Sequence, residues 1–231
     1  PGRLIILFAI PLMLGNICQQ LYTMVDTMVV GQVAGVEALA ALGAVDFLMW
    51  VVTGISTGLT QGFSIQLSQY YGAKDFENLR KSLAHSYRLT AFIAAGVLIL
   101  SQSFASLVLT GLHTPSNIIG MSLLYLRIIF CGIPATAAYN MFASALRAMG
   151  NSKTPLTAMI IASVLNVSLD ILFVAGFGWG VAGAAIATVI AQSFSAVYCF
   201  LILRRIDIVH LTRADFMPAS GMNARLMKLG I

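Results

Sequence analysis

The sequence predicts an all-α membrane protein, a bundle of six transmembrane helices. Three observations carry this. Hydrophobic residues make up 59% of the 231 positions and charged residues only 9%, whereas a water-soluble domain carries about 25% charged residues. Six stretches stay apolar for the ~20 residues needed to cross ~30 Å of hydrocarbon at about 1.5 Å per residue. The basic residues gather at the ends of alternate spans rather than at all of them.

The spans cover about 4–30, 45–70, 87–110, 118–142, 155–176 and 181–203. Turn-forming residues separate them. Gly31 and Gly35 bracket the end of the first, Gly72 and Asp75 the second, and Pro115 and Asn117 the third. Gly150 to Pro155 follow the fourth, and Gly176 to Gly180 the fifth. Arg3 precedes span one. Lys74, Arg80, Lys81 and Arg88 lie between spans two and three. Arg147 and Lys153 lie between four and five, and Arg204, Arg205, Arg213, Arg225 and Lys228 follow six. Of the 13 basic residues only Arg127 falls in the interior of a span; Arg88 stands at the very start of the third. Such one-sided charge is the positive-inside pattern. It predicts cytoplasmic termini in a multi-pass protein of the cell inner (plasma) membrane. It also makes the net charge of +5 a matter of orientation, not of nucleic-acid binding.

Residues 1–203 are therefore read as one membrane bundle, and 204–231 as a charged, loosely amphipathic linker at the cytoplasmic surface. The first apolar run is too long for a signal-peptide core and lacks a cleavage motif. The chain starts without Met and stops within a new apolar pattern, so a fragment of a longer protein is expected.

Several chemistries find no support. Cys18, Cys131 and Cys199 sit in apolar runs without metal-ligand spacing and are read as small core residues. His85, His113 and His210 form no set and are placed at loops or interfaces. There is no P-loop, no HExxH and no aspartate-rich diphosphate motif, and the glycines from Gly176 to Gly183 follow no strand, so neither nucleotide binding nor a catalytic centre is expected. No cofactor is implied.

Ionisable residues at membrane depth are costly and point to function. Asp26 lies five residues before Gly31 and Asp170 six before Gly176, so both belong to the outer half of the bundle at similar depth. Asn166 shares a helix face with Asp170 at spacing i, i+4. Tyr125 on span four and Thr188 on span six fall at the same level. Asp26, Asn166, Asp170 and Thr188 thus offer hard oxygen ligands to Na+, or carboxylates that take a proton. A plainer reading pairs Asp26 with Arg127, which otherwise has a structural role. Pro11 and Pro134 are read as hinges of spans one and four. Asp46 and Glu37 are placed in solvent at the outer interface.

These residues resemble the multidrug and toxic compound extrusion (MATE) transporters, most closely their DinF-like prokaryotic branch. The matching stretches are Gln20 to Thr27 running to Gly31, Tyr70 to Asp75, and Tyr125 to Ile128 with Gly132 and Pro134. Leu146 to Pro155, Leu165 to Asp170 and Gly178 to Thr188 complete the set. The resemblance implies a twelve-helix protein of two six-helix bundles, of which this chain is the first. It implies export of organic, often cationic, amphiphiles in exchange for H+ or Na+ by alternating access. It also implies that Asp26 and the Asn166–Asp170 pair bind the coupling ion, with Tyr22, Tyr125 and Thr188 lining the pocket. The implied partners are a small organic substrate, membrane lipid and the missing second bundle. A lipid-linked oligosaccharide flippase of the same superfamily is the alternative, disfavoured because only Arg127 is available to its usually basic cavity. An intramembrane aspartyl enzyme is a more distant one.

Overall fold

The computed structural model describes residues 2–216 and Leu226. Among them are seven α-helices and no strand: α1 (Gly2–Val33), α2 (Val36–Gly72), α3 (Phe76–Gly111), α4 (Ile119–Cys131), α5 (Ile133–Ala148), α6 (Lys153–Asp170) and α7 (Gly180–Arg204). Each predicted span meets one helix, except the fourth, which is α4 and α5 joined at a 44° bend. Among the described residues, four helices are long and apolar enough to cross a membrane, and the bent pair makes five. At 32 residues α1 has the length of a sixth.

Hydrocarbon offers no partner to backbone amides, so every group must bond within its own helix. The hydroxyls follow the same rule. Thr23, Thr27, Ser103 and Ser168 each donate to the carbonyl four residues earlier, at 2.8–3.0 Å. Helices stop where the backbone must reverse. Gly35 (φ +91°) and Gly150 (φ +83°) adopt left-handed conformations that cost glycine least. Asp75 caps α3, accepting from the backbone amide of Asn78 at 3.2 Å and its side-chain amide at 2.7 Å. These bonds hold its carboxyl below the ordinary carboxylate range.

The interior divides into two apolar clusters. One holds Val30, Leu42, Val45, Leu126, Val174 and Ala184; the other holds Phe63, Leu67, Leu83, Met141, Leu146 and Leu203. Large apolar side chains also cover the outside: Trp50 is 74% and Phe92 71% exposed. A surface of this kind is stable only where lipid or another apolar body replaces water.

The α4–α5 elbow is built from two residues. A Cβ at Gly132 would lie 2.7 Å from Val189 Cγ2 of α7, so only glycine lets the elbow rest on that helix. Pro134 stands in the first turn of α5, where its missing amide is tolerated. In contrast, Pro11 falls inside α1, which continues across it as one helix. After Asp170, α6 widens into a π-helical turn, Ile171–Gly176, that packs against α7. A Cβ at Gly183 would lie 3.1 Å from the Phe173 carbonyl carbon.

The described part of the linker makes two 3-10 turns, Asp207–Val209 and Arg213–Phe216, held to α3, a local form that its loosely amphipathic pattern does not specify. Asp215 accepts from the Thr212 amide at 2.7 Å and stands 3.9 Å from Arg80. Arg88 donates to the Phe216 carbonyl at 3.1 Å. The linker's other basic residues, Arg225 and Lys228, lie outside the described residues.

Three expectations need correction. His85 is buried, 2% exposed, because the face of α3 it occupies packs inward in the second cluster. Cys131 is exposed, where Gln102 donates to its sulfur at 3.3 Å; Cys199 is buried and Cys18 half-buried. Arg127 is exposed and, among the described residues, forms no ion pair with either aspartate. It follows Tyr125 by only two residues, so the helix points it away from the interior face that Tyr125 occupies.

Candidate functional site

A cavity of about 660 Å3 opens into the bundle, with walls from α1, α2, α4, α5, α6 and α7. Asp26 and Tyr22 of α1, Tyr125 of α4 and Thr188 of α7 all line it. Asp26 is 5% and Tyr125 7% exposed, so both belong to the cavity's deep end. Trp50, 74% exposed, marks its open side.

Behind Thr188 is a second, narrow chamber of about 10 Å3, bounded by Tyr22, Asn166, Thr188 and Gln192 among others. Its volume suits about one water-sized occupant. Asn166 Nδ2 donates to Thr188 Oγ1 at 3.3 Å, and Gln192 Nε2 to the Tyr22 hydroxyl at 3.4 Å. Asp170 lies one turn beyond Asn166 on α6, completely buried. Asp26 and Asp170 are close enough to repel one another electrostatically, and both act on the Tyr125 hydroxyl.

The oxygens of this group are under-used. Asp26 Oδ1, Asn166 Oδ1, Gln192 Oε1 and both carboxylate oxygens of Asp170 are buried without a hydrogen-bond donor from the protein. An unsatisfied buried polar atom costs about 1–3 kcal/mol. Asp170 itself lines neither cavity; acceptors without donors on Asp26, Asn166, Gln192 and Asp170 are nonetheless suited to positive charge, supplied by protons or a cation. The donor set is oxygen only, suited to a hard ion. Among the described residues no group of three or more His, Cys, Asp or Glu gathers.

Two residues enter the site that the sequence reading did not place there. Asp46, solvent-exposed as expected, lines the open side of the large cavity, because α2 begins at Val36 and places position 46 about 15 Å along the helix rather than at its outer end. Gln192 closes the small chamber. It follows Thr188 by four residues, so the shared helix face was the available signal.

A family model described as MatE matches residues 11–172. Among curated relatives, the chain is 31% identical over 227 residues to the probable multidrug resistance protein YpnP of Bacillus subtilis, covering 98% of this chain and 51% of that one. It is 33% identical over 201 residues to the probable multidrug resistance protein YoeA of the same organism, covering 85% and 42%. Among solved structures it resembles a crystal structure of MATE in the bent conformation, with a TM-score of 0.93 and 26% identity, over 100% of this chain and 52% of that chain. The chain spans about half the length of the curated relatives it matches.

Proposed function

Since the chain belongs to the MatE family of multidrug and toxic compound extrusion transporters, we propose that it forms the ion-coupling bundle of a multidrug exporter driven by H+ or Na+ antiport. Members of this family are transporters, not enzymes, and the aspartyl-enzyme reading is set aside. The observation that carries the proposal is the cluster of donor-less oxygens on Asp26, Asn166 and Asp170 beside a cavity large enough for an organic molecule. Loading the cluster with protons or Na+ favours one arrangement of the bundle, and substrate binding favours another. The inward ion gradient then drives export. A second bundle, for which relatives of about twice this length have room, supplies the opposing wall.

The test is transport by the full-length protein in proteoliposomes, with a fluorescent organic cation such as ethidium. Uptake against its gradient is expected when an H+ or Na+ gradient is imposed. Uptake that neither gradient alters would sink the reading.

The cavity's chemistry suits cations. Asp26 and Asp46 supply negative charge, and Tyr22, Trp50 and Phe130 supply aromatic faces that attract cations through their quadrupoles. Asp46→Asn is expected to raise KM for a cationic substrate roughly 2–5-fold, the size of one partly exposed ion pair, and to leave ion coupling intact. Unchanged KM across cationic substrates would remove Asp46 from the substrate path.

Orientation follows from the charge distribution. In a background lacking the three native cysteines, single cysteines at Glu37, Pro115 and Gly178 are expected to react with a membrane-impermeant reagent from outside intact cells. Cysteines at Lys74 and Ser152 are expected to stay protected. The opposite pattern would invert the topology and the depth assigned to Asp26 and Asp170.

A further inference from the structure

The outside of the bundle carries a second cavity that export does not use. It holds about 380 Å3 between α3, α5 and α7, beside the α4–α5 elbow. Ala91 and Ala95 of α3 and Pro134 of α5 form its exposed rim, so it opens toward the bilayer. One wall is an aromatic row. Tyr87 meets Phe142 edge-on with centroids 5.4 Å apart, and Phe142 meets Phe200 at 5.2 Å. Inside is a polar group out of place: Thr90 is 8% exposed, and its hydroxyl has no hydrogen-bond partner.

The mouth nearest the cytoplasmic ends of the helices is positive. Arg88 precedes Ala91 and Ala95 by three and seven residues, which puts it on the same stripe of α3. Arg204 follows Phe200 by four on α7, and both arginines are exposed. Arg88 gives one N–H to the Phe216 carbonyl, but a guanidinium carries five. Among the described residues no carboxylate lines the cavity.

We propose that this groove binds an anionic phospholipid of the cytoplasmic leaflet. The phosphate lies between Arg88 and Arg204. Thr90 is only about 3 Å along α3 from Arg88 but about 160° round the helix from it, so it stands on the opposite wall of the groove, where its hydroxyl donates to an ester carbonyl. One acyl chain follows the channel left by Ala91 and Ala95 toward Pro134. The order of groups down the groove, cation then hydroxyl then apolar slot, is the order of groups along such a lipid. A chain seated there braces the elbow of the span whose α4 half carries Tyr125.

The experiment is native mass spectrometry of the full-length protein, released from detergent with equal phosphatidylglycerol and phosphatidylcholine. Wild type is expected to retain phosphatidylglycerol roughly tenfold over phosphatidylcholine, given two arginines near the headgroup. Ala95→Trp fills the slot and is expected to abolish the retained lipid. Arg88→Gln combined with Arg204→Gln, both at the surface, is expected to erase the preference between the two lipids. Equal retention of both lipids by wild type, or an unchanged preference in the arginine double variant, would overturn the proposal. So would full phosphatidylglycerol retention by a folded Ala95→Trp protein. If that variant does not fold, Thr90→Val serves in its place, with weakened phosphatidylglycerol retention expected and unchanged retention counting against the site.

Discussion

Asp26→Asn and Asp170→Asn, made singly in the full-length protein, are each expected to abolish gradient-driven export while expression and folding persist. Asparagine keeps the shape of aspartate but has neither its charge nor its proton site. Asp170 is 0% exposed, and neither of its oxygens receives a hydrogen bond from the protein. Removing a buried, unpaired charge relieves a desolvation cost, so thermal stability is expected to hold or rise. A structural ion pair would behave in the reverse way. Breaking a buried pair destabilises by about 3–5 kcal/mol, and a substitution that only loosened the bundle would lower stability before it stopped transport. Export assays and unfolding midpoints on the same preparations therefore separate the roles. Normal export by both variants would show that these carboxylates do not couple transport. Asn166→Ala is a milder change, since it removes the bond to Thr188 but leaves both carboxylates.

Much of this arrangement was legible in the sequence, because lipid imposes simple rules. Length and apolarity located the helices, and the one-sided arginines and lysines divided the loops. Helical spacing alone brings Asn166 and Asp170 to one face. Other features were not legible. The π turn after Asp170 arises from the close approach of α7 at Gly183, a tertiary contact with no local signature. Asp46 is exposed as its charge suggests, but it faces the cavity and not the outer rim, because α2 starts at Val36, nine residues before the apolar run at 45. His85 runs against the sequence pattern, in which a polar residue near a helix start faces water. Here the linker and α5 cover that end of α3, and linker packing is a long-range property. Arg127 shows the converse. Charge alone suggested a partner for Asp26, but the 200° turn between positions 125 and 127, about 100° per residue, sends it outward while Tyr125 goes inward.

The coupling cluster is also expected to move α1, and here a rearrangement would be visible directly. Asp26 is on α1 and Asp170 on α6, and their like charges oppose close approach of the two helices. Protonation removes that repulsion and supplies donors to oxygens that have none. Sodium bridging the same oxygens would satisfy them in a different geometry, with both carboxylates still charged. Two ligation states therefore favour two spacings of α1 and α6. Pro11 gives α1 a place to bend, because a proline inside a helix removes one i→i−4 hydrogen bond and kinks are commonly found at it. The short Ala34-Gly35 connection ties the far end of α1 to α2, so the movable part is the segment that contains both Pro11 and Asp26. Structures of the full-length protein at low and at high pH are expected to differ in α1 around Asp26. If Na+ is the coupling ion, adding it at high pH should shift the same segment. Pro11→Ala restores the missing hydrogen bond and is expected to reduce the shift and slow export together. Identical α1 geometry across pH and sodium would leave the cluster without a two-state element to act on, and coupling through α1 would have to be abandoned while the family assignment stood.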